Sequence, residues 1–171
     1  MPDRTSMGEA EPISADRWLQ RLAELARRRG LAVGTLLSAS RRDLDLLLAS
    51  AAMHLPVDEG LSEREASERL RDFLATTGAM LATDHAELRR WLVDLGYVSR
   101  SDRGADYRRA AMPPWLREAA QALDADRLRV AVATARRTQD DERRARKDAW
   151  LARTAAALEV TEAPLLKSDP D

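Results

Sequence analysis

The stretch Asp84-His85-Ala86-Glu87-Leu88-Arg89-Arg90-Trp91-Leu92-Val93-Asp94-Leu95-Gly96-Tyr97-Val98-Ser99-Arg100, residues 84–100, decides the fold. It opens on a helix start, because Thr83 or Asp84 can accept from the orphan amides of a first turn, and Glu87 stands three residues beyond Asp84 as in a capping box. At about 100° per residue, Leu88, Trp91, Leu92 and Leu95 share one face, whereas Ala86, Arg89, Arg90 and Val93 look outward. Gly96 stops the helix. Tyr97-Val98-Ser99-Arg100 and Ala105-Asp106-Tyr107-Arg108 then read as two short strands around the turn Ser101-Asp102-Arg103-Gly104.

Upstream, two more helices precede this one. Residues 41–54 place Leu44, Leu47, Leu48 and Ala51 three and four apart, either Ser38 or Ser40 can cap them, and Pro56 prevents extension. This is expected to be a buried core helix. Ser62-Glu63-Arg64-Glu65 is a capping box that starts the next, with Ala66, Leu70, Phe73 and Leu74 inward and Gly78 near its end.

Residues 1–13, polar and containing Pro2, Gly8 and Pro12, are expected to be a disordered N-terminus, and the residues from 161, with Pro164 and Pro170, a flexible tail. Residues 14–40 form an N-terminal helix and connector. Ser14 caps the helix, Trp18, Leu19, Leu22 and Leu25 make its stripe, Gly30 follows its end, and Leu31 to Leu37 lead onward as a link. A winged-helix-like domain occupies 41–112, and a C-terminal helical extension 113–160. There Pro113 and Pro114 start a helix from Trp115 to Leu123, and residues 126–160 are helix-compatible as one helix or two. Their middle, 136–148, is almost wholly polar; Leu128, Val132 and Ala135 mark one apolar end, and Trp150, Leu151, Thr154 and Leu158 the other.

The totals set limits. A length of 171 residues suits one main core, and 33% charged with 4% aromatic residues suits Ala-, Leu-, Arg- and Glu-rich helices rather than a sheet protein. The absence of cysteine removes disulfides, thiolate nucleophiles and thiolate zinc sites, and points to a reducing cytoplasm as the expected location. The acidic N-terminus lacks the apolar run of a signal peptide, and no stretch approaches a membrane span.

Catalysis finds little support. His54 and His85 are the only histidines and read as a helix-end and a first-turn residue rather than ligands; no metal and no cofactor are expected. No glycine-rich phosphate loop, nucleophile elbow or nucleotide fingerprint occurs, so the chain is not expected to be an enzyme. Trp18, Trp91, Trp115 and Trp150 fall one per helix on apolar faces, which suits core packing better than base stacking.

The expected fold is therefore mainly α: three helices and a short β-hairpin in winged-helix-like order, flanked by helices. In such a module the third helix enters a major groove and the wing meets the backbone. Net charge is −1, so any attraction to nucleic acid must be local. Arg89, Arg90, Arg100, Arg103, Arg108 and Arg109 outnumber Asp94, Asp102 and Asp106 between Leu88 and Arg109, and are the candidate nucleic-acid-binding residues. Helical pairs Glu87–Arg90 and Arg90–Asp94 can use the same groups without a ligand.

The runs Leu61 to Glu65 and Asp84 to Arg100, followed by Gly104 and Tyr107, closely resemble the bacterial domain of unknown function 2087 over about residues 41–109. The resemblance implies a small winged-helix-like module, found alone or attached to helix-turn-helix regulators, with a transcription-related role. This chain departs from it in having Ser67 where Asn is common and in inserting Thr76 to Leu81. The expected function is DNA-associated regulation through the arginine-bearing helix and wing. The alternative is a protein-binding adaptor. The long C-terminal helical region, apolar at both ends, suits a homodimer.

Overall fold

The computed structural model describes residues 11–101 and 106–161. The chain divides into two compact units, residues 1–136 and 137–171. The first holds helices α1 (Ala15–Ala26), α2 (Val33–Ala39), α3 (Arg41–Ala52), α4 (Glu63–Ala75), α5 (His85–Asp94) and α6 (Pro114–Gln121), the strands β1 (Val98–Arg100) and β2 (Tyr107–Arg109), and the start of α7 (Ala125–Thr161).

Helix α3 forms the centre of the first unit. Every residue from Asp43 to Ala52 is buried, which an amphipathic stripe of leucines alone would not require. Its polar side chains are satisfied from within the helix and from neighbouring elements. Trp18 of α1, fully buried, donates its indole N–H to Ser50 at 3.1 Å, and Ser50 donates to the Leu46 carbonyl at 2.7 Å. Asp43 accepts two bonds from the Arg21 guanidinium, at 2.7 and 2.8 Å, and Asp45 accepts from Arg41 at 2.9 Å and from the Tyr97 hydroxyl at 2.7 Å. Pairing with Arg21 lowers the Asp43 pKa against the opposing effect of burial, while burial and the bond to Asp45 raise that of Tyr97.

Helix starts follow the expected chemistry with two exceptions, the first being α3, where Ser40 stands at the N-cap without a side-chain cap bond and the Ser38 hydroxyl donates to the Thr35 carbonyl at 3.0 Å. Ser14 accepts from the Arg17 amide, and Ser62 and Glu65 complete their reciprocal capping box. Asp84 accepts from the amides of Ala86 and Glu87, both at 2.8 Å. Glu87 does not reach back to complete a second box; it accepts from the Thr83 hydroxyl at 2.8 Å instead. The connector expected over Leu31 to Leu37 is also corrected, since Val33–Ala39 is helix α2. Val33-Gly34-Thr35 favours helix weakly, and burial of Val33 and Leu36 against the core supplies what propensity does not.

After α1, Gly30 takes φ +69°, a left-handed conformation that glycine adopts without steric cost, and turns the chain toward Leu31. The Leu31 amide donates to the Met80 carbonyl at 2.8 Å and its carbonyl accepts from Ala82 at 2.8 Å. The segment Thr76 to Leu81 thus buries Met80 and fastens the N-terminal part of the chain beside α4.

The strands pair antiparallel, with Val98 opposite Arg109, Ser99 opposite Arg108 and Arg100 opposite Tyr107. Leu61, between α3 and α4, adds a third partner: its amide and carbonyl exchange bonds of 2.9 and 2.8 Å with Tyr107. The order α3, Leu61 bridge, α4, α5, β1, β2 is a winged-helix-like arrangement. Residues 102–105, which hold most of the turn expected over Ser101 to Gly104, lie outside the described residues, as do 1–10 and 162–171, which hold most of the expected disordered N-terminus and flexible tail. Of the residues 1–13 expected to be disordered, 11–13 are described, and Ile13 packs on the core and donates its amide to the Trp115 carbonyl at 3.0 Å.

Pro114 occupies the first turn of α6, as its fixed φ favours, and Trp115 and Leu116 are buried. Helix α7 is continuous from Ala125 to Thr161, which decides between one helix and two over 126–160. Within the first unit its Leu128 and Val132 are buried. In the second unit Trp150 is 57% exposed and Leu158 63%, so the expectation that all four tryptophans pack in a core holds for Trp18 and Trp115, partly for Trp91, and fails for Trp150. Among the described residues no helix is long and apolar enough to cross a membrane.

Two outcomes test this packing. A Cβ at Gly78 would meet the Phe73 ring at 2.2 Å, whereas one at Gly34 meets nothing within 4 Å. Gly78→Ala is expected to destabilise by about 1–3 kcal/mol in urea unfolding, and Gly34→Ala, inside α2, to stabilise by about 0.5–1 kcal/mol. Because the native pKa of Asp43 is lowered, its contribution is present above the unfolded value and lost as pH falls through the native one. Asp43→Asn should cost about 1 kcal/mol at neutral pH, Arg21 being partly solvated. That gap in thermal unfolding should narrow as pH falls below the ordinary carboxyl range and close once the native Asp43 carboxylate is protonated.

Candidate nucleic-acid interface

The six candidate arginines divide into three groups. Arg89 is not a free surface cation: its side chain is 15% exposed, donating to Glu63 at 2.6 Å and to the Ser67 hydroxyl. The wheel places Arg89 at the margin of the outward face, and its long side chain turns into the seam between α4 and α5, where its partners wait. Ser67, the departure from the common Asn, therefore still supplies an acceptor at this position.

Arg90 is exposed on α5 and forms no ion pair among the described residues; neither expected helical pair, with Glu87 or Asp94, is made. Its neighbours on the expected outward face, Ala86 and Val93, are half-buried, and Val93 packs on the core.

The hairpin register separates the wing arginines. Side chains alternate across a strand, so Val98, Arg100, Tyr107 and Arg109 share one face, and Ser99 and Arg108 share the other. Arg108 is exposed, Arg109 half-buried, and Arg103 lies outside the described residues. Arg100 is exposed, and its guanidinium sits 5.7 Å from the centroid of the Tyr107 ring. Arg89 approaches the same ring to 5.3 Å. Helix α5 and the wing thus bring guanidinium groups together around one buried tyrosine, a favourable cation–π arrangement.

The close approach has a backbone basis. Gly60 precedes the bridging Leu61, and a Cβ there would meet Asp106 at 3.0 Å and the Arg108 Nε at 3.2 Å. Glycine lets β2 lie against the α3–α4 connection. Tyr97, through Asp45, ties the start of β1 to α3, and the Arg109 amide donates to the Pro56 carbonyl at 3.0 Å.

Beside Arg89, α4 and α5 enclose an open cleft of about 440 Å³, lined by Glu63, Arg64, Ser67, Arg71, His85 and Arg89. Arg71 donates to the His85 Nε2 at 3.0 Å. Reasoning on sequence overlooked this cluster, although Glu63, Ser67 and Arg71 stand four apart along one stripe of α4. The helix-end reading of His54 is met: its Nδ1 lies 3.0 Å from the Ser50 carbonyl, its ring meets Phe73 edge-on at 5.2 Å, and burial lowers its pKa. Among the described residues no group of three or more His, Cys, Asp or Glu is placed to hold a metal ion.

No curated protein and no solved structure matches the chain. Over residues 35–109, from within α2 to the end of β2, it matches the family model described as an uncharacterized protein conserved in bacteria (DUF2087), the family its motifs resemble.

Proposed function

We propose that this chain is a non-enzymatic, DNA-associated regulatory protein that meets the duplex backbone through Arg90 of α5 and Arg100, Arg108 and Arg109 of the wing. The observation that supports the reading is the convergence of Arg89 and Arg100 on Tyr107, because it sets α5 beside the wing. Arg89 acts as a positioning residue here, its guanidinium engaged by Glu63 and Ser67. Exposed Glu87 and Asp94 flank Arg90 and disfavour phosphate along the middle of α5, so the wing and Arg90 carry most of the attraction. Arg103, outside the described residues, extends the same basic run in sequence.

A second reading is favoured by a separate observation, the exposed Trp150, Leu151 and Leu158 of α7. An acidic block, Asp140-Asp141-Glu142, is followed by the basic residues Arg143, Arg144, Arg146 and Lys147. In an antiparallel pair of copies, the acidic block of one faces the basic block of the other. On this reading α7 makes a homodimer and the chain serves as an adaptor, or the dimer presents two wings to DNA.

Ionic strength separates the two. With four phosphate contacts, affinity for a random duplex measured by fluorescence anisotropy should fall about a hundredfold between 50 and 200 mM salt. Combined Arg90→Ala, Arg100→Ala and Arg108→Ala, in a protein with unchanged circular dichroism, should remove most of that dependence. Absence of duplex binding at low salt would refute the DNA reading. Light scattering should give twice the 19.1 kDa chain mass for the dimer, and Trp150→Ala with Leu158→Ala should return it to one.

A further inference from the structure

We infer that the cleft between α4 and α5 is a binding site for a phosphate group. Three guanidiniums, from Arg64, Arg71 and Arg89, and one carboxylate, from Glu63, line it. The lining therefore carries a net charge of about +2, matched to a phosphate monoester dianion near neutral pH.

Charge alone does not make a site; the hydrogen bonding around Ser67 is more specific. Ser67 is 5% exposed, and its oxygen is already an acceptor for Arg89. Among the described residues its hydroxyl hydrogen has no acceptor. Ser67 lines the open cleft, so its hydroxyl can donate to a ligand oxygen held there while accepting from Arg89.

Arg71 points the same way. Its bond in the cleft goes to a ring nitrogen of His85 and not to a carboxylate, so its positive charge is left uncompensated by any described ion pair. Arginine can only donate, so His85 Nε2 is the acceptor in this contact and the imidazole orients the guanidinium. Arg64 is 81% exposed at its side chain and only loosely paired, 3.8 Å from Glu68, which leaves it able to swing over a bound anion. Arg89, locked by Glu63 and Ser67, forms the floor. Arg71 and Ser67 thus supply the fixed donors and Arg64 a mobile one, a set suited to several oxygens on one centre.

The inference does not rest on the DNA reading, since a free phosphomonoester and a backbone phosphate present the same oxygens. The test uses the full chain with inorganic phosphate, followed by thermal shift and titration calorimetry, against sodium chloride and acetate at matched ionic strength. Phosphate should raise the melting temperature in a saturable way that neither control reproduces. Arg71→Gln should weaken phosphate binding about tenfold, and Ser67→Ala about fivefold, as expected for loss of one charge-assisted and one neutral donor. Circular dichroism is the check that both variants fold, and Arg71, an exposed residue, is the safer of the two.

Duplex DNA titrated on the same variants distinguishes the sources. If Arg71→Gln weakens DNA and phosphate alike, the cleft takes a backbone phosphate; if it weakens phosphate alone, the natural ligand is a small phosphate ester. An equal shift with chloride or acetate overturns the inference. So does full phosphate affinity in either folded variant.

Discussion

Tyr107 is held from two directions, and the arrangement of helix and wing depends on both. Its amide and carbonyl exchange hydrogen bonds with Leu61, so the second wing strand is anchored to the connection between α3 and α4. Its buried ring receives the guanidinium of Arg89 from α5 and that of Arg100 from the opposite strand. A two-stranded hairpin of three residues per strand is too short to be stable alone in water. The Leu61 bridge and the aromatic contact supply the missing partners, and in doing so fix where the wing stands relative to α5.

Residues 40–112 carry eleven arginines against thirteen acids, a balance that is a poor guide to their surface. Asp43 is consumed by Arg21, Asp45 by Arg41 and Tyr97, and Glu63 by Arg89. Those carboxylates hold elements together, and two of them are buried. Each pairing also consumes an arginine, whereas Arg90, Arg100 and Arg108 are exposed and form no ion pair among the described residues. One arginine that looked available, Arg89, is committed to the same internal pairing.

Much of the fold was legible because its signals are local. The serine caps at Ser14 and Ser62, the aspartate cap at Asp84, the stop at Gly96 and the proline at the start of α6 each act within one turn. Helix α2 escaped notice because its helicity comes from burying Val33 and Leu36, a tertiary effect without a strong pattern of seven residues. Glu87 misled for a related reason: the box motif was present, but Thr83 competed for the carboxylate. The site was less legible than the fold. A helical wheel gives the direction of a Cβ, whereas the end of an arginine lies several bonds away and goes where a carboxylate draws it, as with Arg89 and Glu63. The cleft requires the juxtaposition of Ser67 and Arg71 with His85, which no spacing within one helix reveals.

The bridge at Leu31 bears on where this module begins. Its two hydrogen bonds go to Met80 and Ala82, inside the stretch that matches the family, yet Leu31 itself precedes that stretch. Excising residues 35–109 would leave the Met80 carbonyl and the Ala82 amide without their mates. It would also strip Trp18 and Leu22 from the flank of α3 and open Ser50 to solvent. The stretch matched by the family is thus narrower than the packed unit, and α1 belongs to that unit's core.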